Sequence, residues 1–179
     1  MDSLTTDALD VIRIPEKDFP FLALTDNMQS FFSAGIKLHE KGSYNHLMWY
    51  VAPNVFISQD WTLRRVPAKE YLSGNHRVKL ITNPAWNIHE RGLIKRYLNS
   101  EVGRPWYKRL YDPLQIVGLA VGLRWLQIPG RSRICSDYAS VLRLVDENYD
   151  LEHPSPTEVN DYTKKNNHVY RVYMRFIPD

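Results

Sequence analysis

The feature that most constrains the fold is a β-hairpin pattern over residues 46–58. An apolar strand-like run follows His46, Pro53-Asn54 is a typical turn pair, and Val55 opens a second strand-like run. Alternating residues predict strands at 77–82 and 169–176, because successive side chains of a strand face opposite sides. A short apolar run predicts a strand beginning after Pro20, and 63–66 is a further predicted strand.

Helical patterns occupy most of the chain between the predicted strand at 77–82 and the last predicted strand. Caps support two of the helices: Asp112-Pro113 fits a helix start, and Ser155 with Glu158 fits a capping box. Strands clustered together, then helices, then one closing strand predict an α+β fold with a mainly antiparallel sheet. The predicted helices are one after a cap at Asp26 or Asn27, a short one from Pro67 to Leu72, 87–98, one from Asp112 to before Pro129, 135–145 and one after Ser155.

Length and composition predict one soluble domain. A chain of 179 residues suits a single core, so we expect a polar leader at 1–17 and one domain at 18–179. The net charge of +3 mildly favours anionic partners such as a membrane surface, nucleic acid or an acidic wall polymer. The N-terminus lacks the features of a signal peptide, and the longest apolar stretch, 113–128, is too short to span a bilayer. We therefore expect synthesis in a cytoplasm and no transmembrane segment.

Cys135 is the only cysteine, so an intramolecular disulfide and a thiolate zinc cluster are excluded. The sequence places it at the start of a predicted helix, where unpaired N–H groups would stabilise a thiolate. A small buried core residue fits the same position equally well, because free cysteine is among the most buried residue types. The pattern alone does not choose between the two interpretations.

His46 begins the first strand of the hairpin. A histidine there could face a cleft beside the cysteine helix, or it could be a strand-end residue bonded to the backbone. Taken alone, the second interpretation is the commoner one. The remaining histidines lie in polar contexts where we expect solvated rings, and they are residues 39, 76, 89, 153 and 168.

A family resemblance links the two residues. The run from Ser43 to Val51 resembles the histidine strand of circularly permuted papain-like hydrolases, the YiiX-like branch of the NlpC-type cell-wall peptidase superfamily. The second strand from Val55, the segment 63–72, Gly103 and the pair Tyr111-Asp112 resemble the later segments of that family in the same order. Cys135-Ser136-Asp137 resembles its Cys-Ser-acid motif at a helix start, and histidine before cysteine is the permuted order.

The resemblance implies a permuted papain-like fold, with a small antiparallel sheet packed against the helix that carries the cysteine. It implies Cys135 as nucleophile and His46 as base, with helix-start N–H groups and Ser136 holding the oxyanion. The family has a polar residue on the second strand that fixes the imidazole. Ser58, Gln59 and Asp60 are the candidates, and we expect Gln59, whose amide oxygen could accept the imidazole N–H, with Asp60 as the alternative.

An aromatic and basic loop precedes the predicted cysteine helix. Trp106, Tyr107 and Tyr111 alternate there with arginine and lysine, and we expect these three to border the cleft and bind substrate. Stacking on nucleic acid is a weaker interpretation, because such loops more often pack their rings and leave their charges in water.

The sequence therefore predicts a thiol hydrolase of amide or ester bonds. The resemblance implies cell-wall peptides as the substrate. It also allows a bacteriophage source for the protein and a location in the virion. A lipid acyl hydrolase or transferase is an alternative, and a non-catalytic binding or assembly module that retains the fold is the rival from another class. The proposed chemistry needs no metal or nucleotide cofactor, and phosphate-loop, zinc-protease and dinucleotide motifs are absent.

Overall fold

The computed structural model describes residues 14–27, 44–72, 76–110 and 134–176, with a few single positions between 112 and 123. Within these residues one antiparallel sheet is packed against helices, so the predicted α+β class is confirmed. The strands lie side by side in the order fourth, third, second, first, fifth, sixth. In chain order they are β1 (Phe21–Asn27), β2 (His46–Ala52), β3 (Val55–Gln59), β4 (Leu63–Pro67), β5 (His76–Thr82) and β6 (Arg171–Phe176).

Helices of two kinds accompany the sheet. The α-helices are α1 (Lys69–Leu72), α2 (Ile88–Val102) and α3 (Pro156–Lys165), and the 3₁₀ helices are η1 (Glu16–Asp18), η2 (Trp106–Lys108) and η3 (Cys135–Leu144). The predicted helix at Cys135 is therefore present as a ten-residue 3₁₀ segment. None of the helices in the described part of the chain is long and apolar enough to cross a membrane.

The two faces of the sheet support two separate apolar clusters, because neighbouring residues of a strand point to opposite sides. On β2, Leu47 and Trp49 belong to the first cluster, whereas Met48 and Tyr50 belong to the second. The first cluster joins the sheet to α2 and η3, and its helical members include Ile94, Leu98, Ala139, Val141 and Leu142. The second cluster joins the other face to the short helix α1 and to the segment before β1. The parity of a strand residue therefore decides which cluster it meets.

The predicted hairpin turn and the predicted caps at Asp112 and Ser155 are present in the structure. Asn54, in the hairpin turn, has a φ of 60°, a left-handed conformation that asparagine tolerates. Capping boxes begin α2 at Asn87 and α3 at Ser155, and each such cap contributes about 1 kcal/mol. The Asp112 carboxylate accepts the N–H groups of Leu114 and Gln115, as expected of a helix cap.

Two local predictions differ from the structure. Pro67 is the last residue of β4 and pairs with Val55, so it does not open the following helix. β4 is an edge strand, where a proline removes no hydrogen bond from the ladder. Asp26 and Asn27 lie inside β1, paired with β5, so they do not cap a helix. The helix predicted to follow them, and most of the predicted leader, lie outside the described residues.

Candidate functional site

The imidazole of His46 is held by a chain of polar side chains on the second-cluster face of the sheet. Its Nε2 lies 2.8 Å from Ser58 Oγ, and Ser58 Oγ donates to Asp60 Oδ1 at 3.0 Å. The hydroxyl of Tyr71 donates to the same carboxylate oxygen, and the Tyr71 ring stacks on the imidazole with centroids 6.0 Å apart. His46 is therefore linked to a carboxylate through one serine.

The ring tautomer depends on the position of the Ser58 hydroxyl proton, because Ser58 Oγ lies within hydrogen-bond distance of His46 Nε2, Asp60 Oδ1 and the Tyr71 hydroxyl. An ionised carboxylate only accepts, so when Ser58 and Tyr71 both donate to Asp60, Ser58 Oγ accepts from the imidazole and the proton of a neutral His46 ring is on Nε2. In this arrangement the lone pair is on Nδ1, and this is the nitrogen that could take a proton from a nucleophile.

The surroundings of His46 keep the ring neutral. Burial lowers the pKa of His46 below its ordinary value of 6.5, and nearby Asp60, which raises it, has the smaller effect. His76 lowers the pKa of His46 further. Burial and the Asp60 carboxylate also raise the pKa of Tyr71, so that hydroxyl stays a donor. A neutral imidazole is the form that a general base requires.

Gln59, the residue expected to hold the imidazole, makes a different contact. Its amide Nε2 donates to the carbonyl of Arg109 at 3.0 Å, and it follows Ile57 on the first-cluster side of β3. Ser58 is the residue at the ring, because β2 and β3 pair Met48 with Ser58 and Met48 shares the face of His46. Asp60, the alternative, is brought to the ring through Ser58, with its Oδ1 3.5 Å from Nε2.

Cys135 is the first residue of η3 and is buried, with 3% of its surface exposed. The turn that carries it is fixed by Asp137, whose Oδ2 accepts the N–H of Ile134 at 3.1 Å. Ser136, expected at an oxyanion site, is fully buried, and its hydroxyl has no hydrogen-bond partner within the described residues. Cys135 thus lies at a helix start, as predicted, but deep in the protein.

Sequence reasoning missed a second imidazole beside this turn. His153, expected to be solvated, has Nδ1 3.1 Å from Asp137 Oδ1, and Gln115 donates to Asp137 Oδ2 at 2.6 Å. Burial raises the pKa of Asp137 despite these partners. The signal that could have found the contact is the acidic residue two positions after the cysteine, in the first turn of η3.

The helix that begins at Cys135 packs on one face of the sheet, and His46 contacts side chains on the other face. η3 packs on the first cluster, where the indole Nε1 of Trp49 donates to the Tyr138 carbonyl at 3.0 Å. His46 meets Ser58 and Tyr71 on the second-cluster side. His46 is the first residue of β2 and so lies at the end of that strand. The pairing of the two residues stays a prediction.

The aromatic loop lies close to the Asp60 end of the hairpin. The Leu63 N–H donates to the Arg109 carbonyl at 2.9 Å, and Thr62 forms a bridge with Leu110. Trp106 and Tyr107 are 66% and 52% exposed, which suits residues that meet a ligand. Tyr111, the third residue expected to bind substrate, lies outside the described residues.

Comparison with known proteins adds no family to this geometry. No protein-family model, curated protein or solved structure matches the chain. The resemblance to permuted papain-like hydrolases therefore rests on the order and spacing of the motifs.

Proposed function

We propose that this protein is a thiol hydrolase of amide or ester bonds, with Cys135 as nucleophile and His46 as base. The observation that carries the proposal is the Ser58–Asp60 support of His46 Nε2, which leaves Nδ1 to exchange a proton. A base oriented by a second polar group is the arrangement that activates cysteine and serine nucleophiles. Ser58 and Asp60 replace Gln59 in the orienting role.

The reaction would proceed in two halves. His46 Nδ1 takes the Cys135 proton, and the thiolate attacks the substrate carbonyl to form a tetrahedral oxyanion. The same proton then passes to the departing amine or alcohol as the scissile bond breaks, leaving a thioester. Water, deprotonated by His46, cleaves the thioester and restores the thiol. N–H groups at the start of η3 and the buried Ser136 hydroxyl are the donors for the oxyanion.

Cell-wall peptides are the leading substrate class, as the resemblance implies. Exposed Trp106 and Tyr107, with the adjacent basic Lys108, suit an acidic peptide attached to a polymer. Lipid-derived amides or esters are the second class, since the same residues suit an amphipathic substrate. A bacteriophage source, and a place in the virion or in lysis, would fit the first class.

Hydrolysis assays with matched variants test the proposal. Peptidoglycan fragments and acyl esters are incubated with the wild-type protein and with Cys135→Ala, His46→Ala and His89→Ala. We expect turnover to be lost in the first two variants and kept in the third, whose ring is exposed on α2. Equal turnover by Cys135→Ala and the wild type would show that Cys135 is not the nucleophile.

A non-catalytic module is the second candidate, and the burial of Cys135 favours it. A thiol with 3% exposure, at the start of a helix that packs in the first cluster, is also typical of a core cysteine. Alkylation by iodoacetamide separates the candidates. A catalytic thiol reacts in the folded protein near neutral pH and more slowly in His46→Ala. A core thiol reacts only after denaturation, at a rate that His46→Ala leaves unchanged.

A further inference from the structure

Three large aromatic side chains stand in solvent at one end of the hairpin. Trp61, in the turn between β3 and β4, is 71% exposed, and Trp106 and Tyr107 are 66% and 52% exposed. The rings of Trp106 and Tyr107 contact each other edge to face, with centroids 6.2 Å apart. Exposed aromatic groups gathered in one place mark an interaction site more often than a neutral surface.

Backbone bonds hold the turn and the loop together as one surface. Thr62 and Leu110 form an antiparallel bridge, and the Leu63 N–H donates to the Arg109 carbonyl at 2.9 Å. The Arg109 guanidinium returns a bond to the Leu63 carbonyl at 3.1 Å, and Gln59 donates to the Arg109 carbonyl. The backbone segments that carry the exposed aromatic side chains are therefore held together by hydrogen bonds. We name Trp61, Trp106, Tyr107 and Lys108 the aromatic–basic surface.

Positive charge accompanies the rings. Lys108 is exposed within η2, and exposed Arg65 on β4 donates to the amide oxygen of Asn99, near the end of α2. Within the described residues neither cation has a carboxylate partner, whereas Arg64 pairs with Asp60 and Glu70. The surface thus presents uncompensated positive charge beside apolar rings.

Two exposed aliphatic side chains follow the aromatic loop in the sequence. Leu114 and Val117, a few residues after the bridged Leu110, are 42% and 51% exposed. Aliphatic groups gain free energy by entering hydrocarbon, and they gain little from a sugar polymer or a phosphate backbone. Tryptophan and tyrosine favour the boundary between lipid headgroups and acyl chains, and lysine and arginine favour anionic headgroups.

We propose that the aromatic–basic surface docks this protein on an anionic lipid bilayer. Trp61, Trp106 and Tyr107 enter the headgroup boundary, while Lys108 and Arg65 pair with lipid phosphates. The docking is independent of Cys135 and of any turnover. It would place the His46 end of the sheet near the bilayer, because Gln59 and Asp60 adjoin the surface.

Vesicle co-sedimentation of the full chain tests the docking. The vesicles contain phosphatidylcholine alone or phosphatidylcholine with phosphatidylglycerol, at low and high salt. We expect binding to the anionic vesicles, weakening with salt, and a blue shift of tryptophan fluorescence on binding. Lys108→Gln should weaken binding about fivefold, and Trp61→Ala with Trp106→Ala by at least about tenfold.

Two control variants match these changes. Ile88→Ala removes an exposed apolar side chain, 84% exposed, at the opposite end of α2, and Lys165→Gln removes an exposed charge from α3. Both should bind like the wild type, and all variants should keep the wild-type circular dichroism spectrum. Equal binding by the surface variants and the wild type would overturn the proposal. So would an absence of vesicle binding, or a preference for peptidoglycan fragments or DNA over anionic vesicles.

Discussion

His46 and Asp60 are joined by a single serine hydroxyl, with 2.8 Å from the ring nitrogen to Ser58 Oγ and 3.0 Å from Ser58 Oγ to the carboxylate. Three side chains from two neighbouring strands and the turn after them thus act as one hydrogen-bonded unit. Tyr71 closes the unit by donating to the same carboxylate. Removing any member takes a hydrogen-bond partner away from another, so the unit can be tested by mutation.

Ser58→Ala should uncouple His46 from Asp60. The imidazole Nε2 loses its hydrogen-bond partner and Asp60 loses a donor, so we expect the free energy of unfolding to fall by about 1–3 kcal/mol. If His46 is the base, turnover should also fall by more than about tenfold. Urea denaturation and the hydrolysis assay measure the two effects. Ser100→Ala is the matched control, because that serine is exposed and bonds only its own helix at the Tyr97 carbonyl.

The titration of His46 should be visible in the stability of the protein. Burial lowers the pKa of His46 in the folded protein below 6.5, and burial also lowers the pKa of His76. The unfolded chain then binds protons that the folded rings do not. The free energy of unfolding should therefore hold above pH 6.5 and fall as the pH decreases below it, through the folded pKa values.

Nuclear magnetic resonance titration of the histidine ring protons checks this directly. We expect a midpoint below 6.5 for His46, and a shallower loss of stability in His46→Gln. A midpoint for His46 above 6.5 would contradict the argument, since it would mean that the Asp60 carboxylate outweighs burial.

Asp137 should matter to both the stability and the thiol. Asp137→Ala leaves the Ile134 N–H, Gln115 and His153 without their acceptor, and should cost about 1–3 kcal/mol by thermal or urea unfolding. Asp137→Asn keeps an acceptor but removes the negative charge near Cys135, so the thiol pKa should fall. Absorbance of the thiolate against pH reports this cleanly because the chain has one cysteine.

Exposed Asp161 on α3 provides the control for that measurement. Asp161→Asn should leave both the unfolding free energy and the thiol titration unchanged. An unchanged thiol titration in Asp137→Asn would mean that the Asp137 charge is screened from the sulfur.

Trp49→Phe should loosen the segment that carries the cysteine. The indole is fully buried and donates to the Tyr138 carbonyl, a direct bond between β2 and η3. Losing that bond and part of the ring should cost about 1–3 kcal/mol. Iodoacetamide should then reach Cys135 faster in the folded variant than in the wild type. A reduced stability with no change in alkylation would show that the thiol is shielded by other contacts.

The hairpin and the strands could be predicted because their signals are local. Alternation, Pro53-Asn54 and the capping residues act over a few positions, and the strands at β1 to β6 lie where these signals place them. Parity along β2 and β3 would also have selected Ser58, since Met48 shares the face of His46 and pairs with Ser58. The amide oxygen of Gln59 has suitable chemistry for the same contact, but Gln59 follows Ile57 on the other face of β3.

Contacts between distant segments could not be predicted in the same way. No local sequence pattern predicts that Gln59 donates to the Arg109 carbonyl, or that the His153 ring contacts Asp137. Those contacts depend on how loops close over the sheet. The face that η3 covers likewise depends on the packing of Tyr138 and Leu142 on Trp49, which the period of the helix alone does not specify.

The position of β1 in the middle of the sheet has a consequence for truncated chains. β1 pairs with β2 on one side and with β5 on the other, so it connects the three strands β2–β4 to the two strands β5 and β6. A chain that starts after residue 27 would keep β2–β4 and β5–β6 as separate ribbons, each with a newly exposed edge. Such fragments should associate through these exposed edges or aggregate. A synthetic peptide covering residues 14–27 should bind between the two ribbons and restore the sheet.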